Sequence, residues 1–285
     1  MAQDSLIIEM APWLQAPAGR YLLAWEQRQL DRVVADIFGY HAVQVGWPMV
    51  QALRASRISH RWMLNDGQID ADLLFTPALL EDADTGLHGG DGALPVSVLT
   101  DYDALPFPSN SLDLVVLPHT LEMTADAHHT LREVERVLMP EGRVVIVGFN
   151  PTSLWGLCHQ FDTIGRRVGM TSPVMSETGE FIGPRRLRDW LRLLGFEIES
   201  GQFGCYRPPF ASQGWLDRSA WWDHAGERWW PVFGSVYMLV AVKRVRAMRL
   251  LGPEWKRKRR TGAAPAVVAQ RQPHPTAGPS RNSTD

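Results

Sequence analysis

The chain predicts an α/β fold, a mostly parallel β-sheet with helices packed on both faces. Three observations carry that expectation. Leu112–Leu117 and Arg143–Val147 are near-continuous apolar runs, as in strands covered on both sides. Between them Leu131, Val134 and Leu138 recur at helical spacing, so strand and helix alternate. Polar residues follow the strand ends directly, Asp101 after Val96–Leu99 and His119-Thr120 after Leu112–Leu117, which is where open parallel sheets bind ligands.

Taken in order, residues 1–19 are Pro- and Ala-rich and read as an irregular arm. From Arg20 to Phe38 the apolar set Leu30, Val33, Val34 and Ile37 predicts a helix that stops at Gly39. His41–Val45 is a short strand, and Pro48 suits the first turn of a helix running to Arg54. Arg61–Leu64 predicts a second strand ending at the turn sequence Asn65-Asp66-Gly67. Residues 66–95, acidic and glycine-rich, read as an irregular insertion. After the Pro140-Glu141-Gly142 stop and the third clear strand, Pro184 opens a helix marked by Leu187, Trp190, Leu191 and Leu194. Phe196–Glu199 and Val236–Val242 then predict two more strands. The domain spans residues 20–250, and residues 251–285 form a basic tail expected to be disordered from Thr261.

Composition bounds the function. With 45% hydrophobic and 21% charged residues the chain is ordinary for a globular domain. No apolar run reaches the roughly 20 residues needed to span a bilayer, the first residues lack a basic secretory leader, and two cysteines cannot build a disulfide scaffold, so a reducing cytoplasm is expected. Residues 256–285 hold seven Lys or Arg and one acid, net +6; with −2 for the whole chain, the preceding 255 residues carry −8. The run Lys256–Arg260 suits phosphate contacts, which makes nucleic acid a candidate partner, although terminal charge runs are commonly just solvated. There is no phosphate-binding G-x-x-x-x-G-K-[ST] loop and no G-x-S-x-G nucleophile turn. Early G-x-G-x-x-G is missing too, which argues against dinucleotide binding. Cys158-His159 and Cys205 lack zinc spacing, and His128-His129 reads as an exposed pair at a helix start, so no metal is expected. Trp215, Trp221, Trp222, Trp229 and Trp230 cluster within sixteen residues. Packing into the core is the plain reading; an apolar acceptor pocket or a partner surface is the other.

The segment D-Y-D-A-L-P-F-P-S-N-S-L-D-L-V, followed by a helix ending R-V-L-M-P-E-G, resembles the second half of the class I S-adenosylmethionine-dependent methyltransferases over about the middle third of the chain. The resemblance implies a Rossmann-like, doubly wound, mostly parallel sheet with an antiparallel last strand, and a cofactor half at about residues 41–150. It implies S-adenosylmethionine as cofactor, Asp101 and Tyr102 facing its adenine, Gly46 under it, Asn65 or Asp66 at the ribose diol, and His119 at the transferred methyl as acceptor-orienting group or base. Thr120 and Glu122 are weaker candidates. The acceptor is expected to be a small molecule. One departure stands out. The family's acid followed by G-x-G-x-G becomes Gln44, then Gly46 alone, then Trp47-Pro48. Trp47 is expected to crowd the cofactor's path while the helix after Pro48 still offers N–H groups. That defect raises a catalytically inactive binding or regulatory module as a rival to an active methyltransferase, and the basic tail raises a second, a nucleic-acid-binding protein.

Overall fold

The computed structural model describes residues 13–65, 96–157, 181–208 and 213–244. In chain order the elements are α1 (Pro17–Ala35), β1 (His41–Val45), β2 (His60–Asn65), β3 (Val96–Leu99), β4 (Leu112–Pro118), the single turn α2 (Thr120–Met123), α3 (Ala127–Val137), β5 (Leu138–Phe149), α4 (Pro184–Leu193), β6 (Phe196–Gly204), α5 (Gln213–Arg218), α6 (Trp221–Trp229) and β7 (Val236–Lys243). The seven strands form one sheet in the order β3-β2-β1-β4-β5-β7-β6. β1 to β5 pair in parallel, and β7 runs antiparallel to both β5 and β6. This is the arrangement that the resemblance implies, mostly parallel with an antiparallel last strand, and the chain reverses its direction of build between β1 and β4.

Side-chain alternation along the strands makes two cores. Ala42, Leu114, Val116, Val145 and Val147 pack with Leu22, Leu23, Leu30 and Val34 of α1. Their neighbours Val43, Val115, Leu117, Val144 and Ile146 pack with Leu131 and Val134 of α3 and Leu187 and Leu191 of α4. Period-two burial on both faces is why the central strands read as unbroken apolar runs. Asp126 caps α3 by accepting from the His128 and His129 N–H groups (2.9 and 3.0 Å). Gly195, at φ +84°, lets the chain leave α4 for β6.

Four expectations need correction. The helix expected from Arg20 begins at Pro17, inside the segment read as an irregular arm, because Pro suits the first turn. No helix follows Pro48; residues 48–55 form turns. Their backbone is claimed by side chains. The Gln44 Nε2 group donates to the carbonyls of Gly46, Trp47 and Val50 (3.3, 3.1 and 2.8 Å), and Gln44 Oε1 accepts from the Ala52 N–H (2.9 Å). Gln27 of α1 both donates to and accepts from Gln51 backbone (3.0 Å each), and Arg54 forks onto Asp31. The third concerns Trp47, whose indole is buried in the α1-side core. The fourth concerns the tryptophan cluster, which does not pack into the core: Trp215, Trp221, Trp229 and Trp230 are more than half exposed. Asp66, the 66–95 insertion, Cys158 and the basic tail lie outside the described residues. No helix among the described residues is long and apolar enough to cross a membrane.

Candidate active site

The carboxyl ends of β1 to β5 lie side by side. Val45 is in register with Leu64, Asn65 with Leu99, and Pro118 with Val147. The residues that follow therefore share one edge: Gly46, Asn65, Thr100-Asp101-Tyr102, His119-Thr120 and Asn150.

At β1 the Gly46 N–H donates to Leu64 O (2.7 Å), and its backbone turns at φ +70°. A Cβ here would meet the Tyr102 hydroxyl at 3.1 Å, Thr120 Oγ1 at 3.3 Å and Met123 Cε at 3.4 Å. Glycine is needed both for the left-handed turn and for this convergence. Thr120 Oγ1 is held in place by donating to Val45 O. Gly46 and Tyr102, predicted from sequence, are thus together. Asp101 adjoins them in the chain; it is exposed, and its backbone carbonyl closes the turn to Ala104. Asp103 serves structure instead, accepting from Thr130 Oγ1 at 3.0 Å.

Asn65 closes β2. It is 2% exposed, and neither atom of its side-chain amide has a hydrogen-bond partner among the described residues. Buried amides are normally satisfied, and an orphan pair at a sheet's ligand-binding edge matches a polar ligand group. A ribose diol, which both donates and accepts, suits an amide that does the same. On this observation, and on the Gly46 cradle, the residues present fit S-adenosylmethionine.

His119 sits at the β4 end in the left-handed region (φ 52°) and is buried. Its Nδ1 is 2.9 Å from Glu122 Oε2 and its Nε2 is 2.6 Å from Glu26 Oε1. Burial alone would lower its pKa, but the Glu26 and Glu122 carboxylates outweigh it, and the pKa is pushed up to about 10. The ring is an imidazolium at neutral pH with both N–H groups donated. Trp47 (4.9 Å between ring centroids) and Phe149 (4.2 Å) flank it. Glu122 also accepts the Phe149 N–H at Oε1 (2.6 Å), so one charged chain ties α1, the turn after β4 and the end of β5. Glu26 Oε2 is left buried and unpartnered.

Glu26 escaped the sequence reading. Its signal was present: it lies four residues from both Leu22 and Leu30, on the apolar stripe of α1, where an acid is out of place unless paired.

A family model described as "Methyltransferase domain" matches residues 76–146. The uncharacterised protein YafS of Escherichia coli (strain K12) is 29% identical over 264 residues, covering 91% of each chain. The malonyl-[acyl-carrier protein] O-methyltransferase of Halorhodospira halophila (strain DSM 244 / SL1) is 37% identical over 122 residues, which cover 35% of this chain and only 41% of that protein. Among solved structures, an S-adenosylmethionine-dependent methyltransferase from Thermotoga maritima superposes with a TM-score of 0.53 at 13% identity, over 85% of this chain and 98% of its own, a likeness of fold.

Proposed function

We propose that this chain is a class I S-adenosylmethionine-dependent methyltransferase that holds its cofactor across the ends of β1, β2 and β3 and methylates a small-molecule acceptor. The observation that carries the reading is the unpartnered, buried Asn65 amide beside the Gly46 turn. When bound, S-adenosylmethionine supplies a methyl group on a cationic sulfonium, ready for in-line displacement.

The chain's own residues then have defined tasks. Asn65 takes the ribose hydroxyls. Asp101, exposed at the β3 end, accepts from the adenine amine, and the Tyr102 ring lies against the base. Gly46 allows close backbone approach. His119 is a positioning residue: with both ring N–H groups donated to carboxylates it has no lone pair to act as a base. Its work is to lock the turn after β4 against α1 and β5, so that catalysis rests on holding donor and acceptor in line, and the acceptor brings its own nucleophilic atom.

The test is calorimetric titration of the full chain with S-adenosylmethionine and S-adenosylhomocysteine, beside Asp101→Ala. Micromolar binding that weakens about tenfold in the variant is expected. No heat from either ligand, with a protein that still melts cooperatively, would overturn the reading and leave a non-catalytic module of the same fold.

A further inference from the structure

Beyond the end of β5, on the same edge of the sheet, lies a cavity of about 440 Å³, lined chiefly by Leu154, Leu157, Tyr206, Trp221, Trp222 and Trp230. We infer that this cavity is a binding site for the hydrocarbon chain of an amphiphilic ligand. The inference stands on the cavity's own geometry and does not require methyl transfer.

Its volume lies in the range of small-molecule sites. Its chemistry is one-sided. The two lining hydroxyls are already engaged, Thr152 Oγ1 with Asn150 Oδ1 (2.8 Å) and the Tyr206 hydroxyl donating to Pro231 O (2.9 Å). Apart from the indole N–H groups, the described lining offers a polar ligand little to replace its water, whereas an alkyl or prenyl chain loses no hydrogen bond on entry.

The wall is built, not merely undocked. Asp223 anchors α6 from its inner side, accepting from Arg207 Nε (2.8 Å), from the Tyr206 N–H (3.3 Å) and from the Tyr21 hydroxyl. Gly226 lies so close to Tyr206 that a Cβ would come within 2.3 Å of the ring. With α6 held by a carboxylate and a glycine, its indoles are left outward: Trp221, Trp229 and Trp230 are 63, 70 and 53% exposed, and Val232 and Phe233 follow at 49 and 56%. Indoles around an apolar mouth suit a ligand that is greasy inside and wet at its head, since Trp prefers such boundaries.

The experiment titrates the full chain with n-alkyl maltosides of octyl, decyl and dodecyl length below their micelle concentrations, following tryptophan fluorescence. Saturable one-to-one binding is expected, tightening about fourfold per added methylene until the cavity is filled. Ala225→Phe, which fills the cavity, and Leu154→Asn, which makes its wall polar, each weaken binding at least about tenfold. Thermal melts show which variants remain folded, and either one suffices. Sedimentation with phosphatidylcholine vesicles separates the sources: co-pelleting means the chain is drawn from a bilayer, and maltoside binding without pelleting means a dispersed amphiphile. Lack of saturable binding in the folded protein, or equal binding by both folded variants, overturns the inference. Cofactor calorimetry on the same sample keeps that outcome separate from a failure of cofactor binding.

Discussion

The Nε2 atom of His119 lies 2.6 Å from Oε1 of Glu26, ninety-three residues earlier in the chain, and this contact joins the first helix to the turn that follows β4. Both side chains are essentially inaccessible to solvent. The pair, completed by Glu122, makes the charge state of one buried ring a condition for the docking of α1.

Stability is therefore expected to fall with rising pH. His119 has a folded pKa raised to about 10, so its contribution is complete below its unfolded value near 6.5 and is lost as pH rises toward the folded one. The slope is about 1.4 kcal/mol per pH unit. Cys205, whose thiol is pushed well above its ordinary value by burial, adds a further fall only above about pH 9. Urea titrations between about pH 6.5 and 8.5 thus isolate the histidine. Glu26→Gln keeps an acceptor but removes a charge, and it should shorten the window; an unchanged slope would contradict the assignment.

Gln44→Glu restores the acid that the family resemblance implies at the end of β1, yet it should destabilise this chain by about 2–4 kcal/mol. Three carbonyls point at the Gln44 amide nitrogen, and a carboxylate cannot donate to them. Denaturant melts decide this. A neutral effect would mean that the loop rearranges freely.

Asn65→Leu should separate stability from function. Removing two unsatisfied buried atoms leaves the ligand-free protein unchanged or up to about 1 kcal/mol more stable. Affinity for S-adenosylmethionine should drop on the order of tenfold, because the ribose loses its partner. Calorimetry and melting on the same sample read both. Undiminished affinity would remove Asn65 from the site.

Trp47→Gly tests whether this residue is core or obstruction. Trp47 is 1% exposed and holds a φ of 47°. Loss of a buried indole, partly offset by relief at a left-handed backbone position, should cost about 3 kcal/mol. Cofactor affinity should not improve in the variant. A tighter complex would show that the indole blocks the path after all.

The sheet was legible because its strands are buried on both faces: Leu112–Pro118 and the second half of β5 can be nothing else, and Val96–Leu99 and His41–Val45 were found at their observed limits. Gly46 and Tyr102 could be placed together because parallel strands bring their ends to one edge, with Asp101 next in the chain. The loop after β1 was misread because the Pro48 rule is local. What decided it was the reach of Gln44 and Gln27 to backbone groups several to many residues away. The tryptophans were misjudged for a similar reason, since hydrophobicity says that indoles prefer burial but not which face of α6 a single carboxylate, Asp223, will draw inward.

The sequence by itself determined the order of the seven strands along the chain and the family resemblance, because periodicity and turn chemistry act over a few residues. Only the tertiary structure decided that His119 is buried between two carboxylates, that Trp47 belongs to the core, and that the tryptophan cluster opens outward around a cavity. Each depends on groups distant in sequence, Glu26 for the ring and Asp223 for the helix, whose electrostatic and hydrogen-bonding reach exists only once the chain has folded.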